Sequence, residues 1–367
     1  VLNMLLPLDR LRSILRRKKI DALLVAQPEN RRYLSGYTAA DHTISESSGV
    51  LLVLAKGPSF LLTDSRYQLQ AEKEAHGFDV QLYPNGLLVS LQKLLPTLGI
   101  RRLGFEGHYF LHKTAVALIE LTRKLAVEAV SLSGLVEKMR VIKTKREIAS
   151  IKKSVAINEK VFQTIYGDLA AGKTERQVAF EIENTMRILG AEGPSFETIV
   201  AGGPNSALPH AVPTDRPLQE GEPIIIDMGT RVDGYCSDMT RTVVLGTPDA
   251  KTVELIRLVS AAKRAAIKFI KAGVTAQQAD RIARQIIFKQ GYGSNFGHGL
   301  GHGVGLAVHE APSLNRHSRK KLLAGMVVTV EPGIYLPGWG GVRLENMVVV
   351  GENGCKSLNK DTTFLNL

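Results

Sequence analysis

Four carboxylates and one imidazole, Asp227, Asp238, Glu331, Glu345 and His302, sit in contexts that make them read together as the donor set of a two-metal hydrolytic site. Asp227 follows three isoleucines, and a carboxylate emerging from a buried strand is costly unless it is paired or metal-bound. The stretch from Pro223 to Leu245 is expected to be a hairpin turning at Asp233-Gly234, a dipeptide that tight primed turns favour. That register would set Asp227 and Asp238 diagonally across one sheet face, with Thr240 beside them. A second hairpin-like unit, Met326–Tyr335 with Gly341–Val350, carries Glu331 at the end of one apolar strand and Glu345 inside the other. Arg343 shares a face with Glu345 by strand parity, placed to balance that carboxylate or to touch a substrate.

An internal repeat ties the two pairs together. Ala171-Gly-Lys-Thr-Glu-Arg-Gln177 recurs as Ala272-Gly-Val-Thr-Ala-Gln-Gln278, each between two amphipathic helical stretches and each carrying a Thr-x-x-Gln capping signal. Each copy leads to a hairpin bearing two acids, so pseudo-twofold packing would gather four carboxylates at one centre. The repeat also disposes of a decoy. Gly167–Thr174 matches the phosphate-loop pattern, but Ile151, Val155, Phe162, Ile165 and Leu169 before it recur at helical spacing, where a phosphate loop needs a strand. The segment is therefore expected to be a turn between helices.

Glycine occupies every second position from Gly297 to Gly305, leaving His298 and His302 on a backbone able to approach a ligand closely, with His309 just beyond. Three histidines in one glycine-rich run, out of nine in the chain, favour a site over scattered surface residues. His210 lies in a proline-bounded loop, Asn205–Pro213.

The segments TIVAGGPNSALPHAVPTDR, IIIDMGTRVDGYCSDMTRTV, HGLGHGVGLAVHE, TVEPGIY and GVRLEN resemble the motifs of the pita-bread metallopeptidases, specifically the Xaa-Pro aminopeptidase and Xaa-Pro dipeptidase (prolidase) branch. Arg32-Tyr-Leu-Ser-Gly36 and Leu61–Tyr67 are similar to the creatinase-like domain of that branch, which methionine aminopeptidases do not share. The resemblance implies an α/β creatinase-like domain over residues 1–135. An α+β pita-bread catalytic domain with an internal pseudo-twofold repeat would follow over 136–367. It implies that Asp238, His302, Glu331 and Glu345 hold one divalent ion and Asp227, Asp238 and Glu345 the other. Manganese is the first expectation, with cobalt, zinc or iron also suited to such donors. Glu331 would shuttle the proton, His210 and His309 would donate to the scissile carbonyl, and His298 and Arg343 would contact substrate. The substrates would be short proline-containing peptides, and the assembly a homodimer.

One departure bears on specificity. A strict dipeptidase must bind the free carboxylate of proline, for which arginine is well suited, and some prolidases carry that arginine just after their HExP segment. Here His309-Glu-Ala-Pro312 is followed by Ser313, with Arg316 and Arg319 nearby. The expectation is therefore an Xaa-Pro aminopeptidase, with the strict dipeptidase as the alternative.

The remaining features set the frame. A chain of 367 residues predicts about two domains, and Lys138–Arg146 is the boundary region. Before it, an amphipathic helix, the strand Asp21–Ala26, a hairpin over Gly49–Asp64 and helix-strand alternation to Ser133 describe a small α/β domain. Val1–Arg10 has a short apolar run without a leading positive region, and is read as the approach to the first helix rather than a membrane span. Two cysteines, Cys236 and Cys355, are too few for a disulfide framework and favour a reducing cytoplasm. The net charge of +12 raises nucleic-acid binding as a second function class, as in relatives that have lost their metals. Its basic clusters, Arg16–Lys19, Arg31-Arg32, Arg101-Arg102 and Arg319–Lys321, are scattered, and the intact donor set argues for chemistry instead.

Overall fold

The computed structural model describes residues 6–41, 43 and 45–362, so the reading of Val1–Leu5 falls outside the described residues. The chain divides into two compact units, Val1–Arg140 and Val141–Leu367.

The first unit alternates helices and strands: α1 (Pro7–Arg17), β1 (Ala22–Val25), α2 (Pro28–Ser35), β2 (Val50–Leu54), β3 (Phe60–Thr63), α3 (Gln68–Glu74), β4 (Asp79–Leu82), α4 (Leu87–Thr97), β5 (Arg102–Glu106), α5 (His112–Lys124), β6 (Glu128–Leu132) and α6 (Glu137–Arg140). They build one mixed sheet in the order β4-β3-β2-β1-β5-β6, with β2 and β3 forming the expected antiparallel hairpin. Strand alternation explains why both faces are apolar. Leu23, Val25, Leu51 and Val53 pack with Leu11 and Leu15 of α1, while Leu24, Leu52 and Phe60 pack with Leu91, Leu95 and Leu118 of α4 and α5.

Three of the basic clusters lie in this unit, and their members sit in different surroundings. Arg31 is fully buried, held by Asp41, Ser48 and the carbonyls of Ala26, Ala39 and Gly49. Arg102 pairs with Glu128, and Arg16 donates to the Ala55 carbonyl. Interior hydrogen bonding is thus the use made of Arg31, whereas Arg16–Lys19 and Arg101 are exposed.

The second unit contains the duplicated plan. Its first copy runs α7 (Lys145–Gly167), α8 (Glu175–Ile188), β7 (Gly193–Pro194), β8 (Ile199–Gly202), β9 (Pro223–Met228), β10 (Thr230–Val232), β11 (Tyr235–Cys236) and β12 (Met239–Val244). The second runs α9 (Ala250–Phe269), α10 (Ala276–Lys289), β13 (Gly301–Gly303), β14 (Glu310–Leu314), β15 (Val327–Val330), β16 (Gly333–Leu336), β17 (Gly340–Arg343), β18 (Asn346–Val350) and β19 (Cys355–Ser357). Thr174 and Thr275 cap α8 and α10 with reciprocal Thr–Gln boxes, as the repeated motif predicts. The likeness extends to the neighbouring loops. Gly172, Glu175 and Arg176 donate to the carbonyls of Leu218, Arg216 and Thr214, just as Gly273, Ala276 and Gln277 donate to Leu322, Lys320 and Ser318. The phosphate-loop lookalike is a turn between α7 and α8 with no strand before it.

Both hairpins turn out to be two-tiered. The ladder β9/β12 gives way to β10/β11, turned by Asp233-Gly234 at positive φ, and β15/β18 gives way to β16/β17. Glu345 consequently lies in the break between β17 and β18 rather than inside a strand. Asp238 occupies the matching break before β12. A break turns side chains out of the strict alternation that parity assumes, which is how the acids leave the apolar faces around them.

Candidate metal centre

The two halves of the second unit meet along β12 and the segment leading into β18. Glu345 N–H donates to the Thr240 carbonyl, and Thr242 Oγ1 exchanges hydrogen bonds with the backbone of Arg343. This junction brings both acid pairs to one place. In the β9/β12 ladder Thr240 is opposite Asp227, so these two side chains face the same way, and Asp238 joins them from the break just before β12. Carboxylate oxygens of Asp227, Asp238 and Glu345 all lie within 4.8 Å of one another. His302 Nε2 extends the cluster, 3.6 Å from Asp238 Oδ2 and 3.2 Å from Glu331 Oε1. All five expected donors therefore converge.

Hydrogen bonds orient them. Thr240 Oγ1 donates to Glu345 Oε2 at 2.8 Å, and Thr329 Oγ1 donates to Glu331 Oε1 at 3.0 Å. His302 Nδ1 lies 3.1 Å from the Gly303 carbonyl, which turns Nε2 towards the acids. Arg343 does not balance Glu345. Its guanidinium donates to Asp227 Oδ2 at 2.7 Å, Tyr335 Oη at 2.8 Å and Thr240 Oγ1 at 3.1 Å, because β17 ends before the break that carries Glu345. Tyr335 Oη in turn meets His298 Nε2 at 2.9 Å.

The glycine alternation has a different cause from the one its spacing suggests. A Cβ at Gly301 would run into Thr329, and one at Gly303 into the Ala311 carbonyl. These glycines admit neighbouring strands rather than a ligand. The result is nevertheless a fixed His302. His309 lies beyond the strand, exposed, its ring 4.3 Å from that of His302. His210 is exposed in its loop.

The electrostatics show a deficit of positive charge. Burial, then the neighbouring charges of Glu345, Asp227 and Glu331, hold Asp238 well above the usual carboxylate range. Burial, then Glu331 and Asp227, push Glu345 up to about 8. Burial would also raise Glu331, but the hydrogen bond and charge of His302 carry it down to about 2. Burial would lower His302, yet Glu331 and Glu345 raise it to about 9. Burial, followed by the charge of His302, lowers His309. Without metal, the cluster holds protons where cations would otherwise balance it.

The donors fit divalent metal on two further grounds. Asp227 Oδ1 and Glu345 Oε1 are buried without any hydrogen-bond partner, and a buried unpaired acceptor costs ~1–3 kcal/mol. Carboxylates with one imidazole also suit manganese, iron, cobalt or zinc.

Several supporting residues were not visible in the sequence. Tyr335 and Thr329 lie in a quoted motif, but their reach across the break before β16 depends on backbone geometry that spacing does not reveal. Arg241, fully buried, donates to the Glu345 carbonyl and to Asp361 and so supports the centre from behind. Its only signal was a charge inside an apolar strand. Arg316 lines a cavity against α10 that includes none of the five donors, and Arg319 is exposed.

Comparison with known proteins identifies the family. Residues 149–352 match the metallopeptidase family M24, and residues 7–142 match the creatinase/prolidase N-terminal domain. An Xaa-Pro dipeptidase of Pyrococcus horikoshii is 36% identical over 346 residues, covering 94% of each chain. Among solved structures, an Xaa-Pro dipeptidase from Bacillus anthracis superposes with a TM-score of 0.90 at 38% identity, covering 97% of each chain. An X-Pro aminopeptidase from Thermotoga maritima gives 0.86 at 36% identity, covering 95% of this chain and 97% of that one. With the carboxylate cluster, the duplicated helix-hairpin plan and the α/β unit before it, the chain belongs to metallopeptidase family M24, as an enzyme with a creatinase-type N-terminal domain.

Proposed function

We propose that this chain is a dinuclear-metal exopeptidase that hydrolyses the N-terminal Xaa-Pro bond of short peptides, including peptides longer than two residues. The observation that carries it is the facing cluster of Asp227, Asp238 and Glu345, in which two buried oxygens lack any donor. Catalysis is assigned to the unit after Arg140, with residues 1–135 as a non-catalytic creatinase-like domain.

Asp238, His302, Glu331 and Glu345 would hold one ion, and Asp227, Asp238 and Glu345 the other, with manganese the first choice. Such ions supply Lewis-acid polarisation of the scissile carbonyl and acidify the attacking water. Glu331, held by Thr329 and facing His302, accepts the proton of that water and delivers it to the departing proline nitrogen. A bond before proline has no N–H to hold it in a β-strand arrangement, so its orientation must come from side chains. His309 and His210 donate to the carbonyl oxygen as it gains charge. His298 borders the substrate, and Arg343 holds Asp227 in place.

The preference for an aminopeptidase over a strict dipeptidase is supported by Ser313 and by the side of the fold on which Arg316 lies. The deciding assay compares Xaa-Pro with Xaa-Pro-Yaa, on metal-free and metal-reconstituted protein. Metal-dependent cleavage of both peptides is expected. A rate unchanged by full chelation would refute the two-metal reading. Cleavage confined to the dipeptide would make the chain a prolidase and point to Arg316 or Arg319 as its carboxylate anchor. A homodimer in a reducing cytoplasmic setting completes the proposal. Among the described residues no helix is long and apolar enough to cross a membrane.

A further inference from the structure

The basic segment Arg316–Lys321 is not accounted for by the metal centre or by internal pairing. Its first residue closes a cavity of about 210 Å³ on the surface of α10, lined by Gln277, Gln278, Asp280, Arg281, Arg284 and Arg316. The volume is many times the ~10–15 Å³ that a single water requires. Gln277, Arg281 and Arg284 follow the i, i+4, i+7 stripe of one helix face, and Gln277 Nε2 donates to the Arg316 carbonyl at 2.7 Å, fixing the loop against that stripe.

The charges do not balance. Asp280, 1% exposed, is consumed by Arg284 in a two-point ion pair with both contacts at 2.8 Å. Arg281 and Arg316 have no acidic partner among the described residues. Two exposed guanidinium groups thus line one concave surface without a carboxylate partner, which leaves their donors available to an anion.

The other half of the repeat differs in charge at the matching loop. There Arg176 on α8 engages Asp215, which lies between Thr214 and Arg216, with both contacts within 2.8 Å. In the second copy Gln277 stands in the place of Arg176, and Arg319 lies between Ser318 and Lys320 in the place of Asp215.

We propose that the cavity between α10 and the loop at Arg316 is a binding site for a small tetrahedral oxyanion of the phosphate class. Arg281 and Arg316 would grip the anion's oxygens, Gln277 and Gln278 would supply neutral donors, and the two uncompensated positive charges match a doubly charged ion. The floor of the site reaches the catalytic strand. Arg284 donates to the carbonyls of Phe296 and His298, and Asp280 accepts from Leu300 N–H, so the anion sits against the support of the segment bearing His298 and His302.

The test is titration of the metal-loaded enzyme with inorganic phosphate, followed by calorimetry against chloride at matched ionic strength. Because phosphate can also approach the metal centre, the parent is compared with Arg281→Glu and Arg316→Glu, and with Lys251→Glu as a control for net charge. Each arginine variant is expected to weaken phosphate binding at least ~10-fold, the loss of one charge-assisted contact, and the control to leave it unchanged. Arg281→Gln replaces the glutamate variant should the latter melt below the parent. Equal binding by parent and both arginine variants would overturn the proposal, as would the absence of saturable binding beyond chloride. A single-stranded oligonucleotide that binds where phosphate does not would overturn it too. None of these readouts uses peptidase activity, so the outcome is independent of the function proposed above.

Discussion

Glu106 in the first unit and Glu345 in the second are buried to a similar degree but are held in opposite ways. Glu106, 4% exposed, accepts from the backbone N–H groups of Ala26 and Gln27 at 2.7 and 2.8 Å and from Asn30 Nδ2 at 2.6 Å, so both of its oxygens have donors. Glu345, 1% exposed, has one oxygen on Thr240 and the other on nothing, and Asp227 likewise has one oxygen on Arg343 and one orphaned. Burial by itself is therefore not the mark of a metal site. What distinguishes the two regions is whether the protein supplies donors or leaves room for a cation.

Removing a central acid should give the largest effect. Asp238→Asn keeps the shape but withdraws the charge that faces Asp227, Glu345 and His302. Loss of metal Lewis acidity is worth several kcal/mol, so a fall of ~10⁴ in turnover is expected together with loss of bound metal. Metal-free Asp238→Asn should melt no lower than metal-free parent, because the substitution relieves a cluster poor in donors. Retention of full metal content, measured by elemental analysis, would place the ions elsewhere.

Glu331→Gln removes an anionic metal donor and the proposed proton carrier together. A general acid–base group contributes ~10²–10⁴ to rate, and the expected variant is folded and slow. Near-normal turnover with metal bound would remove Glu331 from the proton path. His309→Ala is a step smaller, about 10²–10³ in turnover for a lost carbonyl donor, with metal content unchanged. Loss of metal along with activity would mean that His302 and His309 had been assigned the wrong way round.

How far the sequence revealed these contrasts depended on whether local pattern or long-range geometry was decisive. The capping boxes at Thr174 and Thr275 and the Asp233-Gly234 turn were legible because each is a short-range device with its own residue preference. The five donors were legible because acids and one histidine interrupt apolar strands and glycine-rich backbone. Arg343 was misplaced by parity, since the break before β18 resets the side-chain alternation on which parity depends. The alternating glycines were read as letting the backbone approach a ligand, whereas Gly301 and Gly303 make room for Thr329 and the Ala311 carbonyl on the neighbouring strands. Glu106 drew no comment, because nothing near it in sequence announces that Asn30 and the turn after β1 will close over it.

Glu106 also gives the finest test of the comparison, through pH. Burial pushes its carboxyl up to about 7 despite its hydrogen-bond donors, from an ordinary value of ~4.3 in the unfolded chain. Between those values the folded state binds more protons than the unfolded state, so the group's contribution to stability is complete below ~4.3 and is lost as pH rises to about 7. The loss is ~4 kcal/mol at most. Glu106→Gln cannot titrate, and its amide turns an N–H towards donors, a mismatch costing ~1–3 kcal/mol. Urea unfolding should therefore find the variant less stable than the parent at pH 5, with the gap narrowing towards pH 8 and the metal content of the two proteins equal throughout. A gap that widens as pH rises would mean that the three donors outweigh burial and keep Glu106 ionised. The two regions would then differ still more sharply, one holding its buried negative charge with protein donors and the other only with cations.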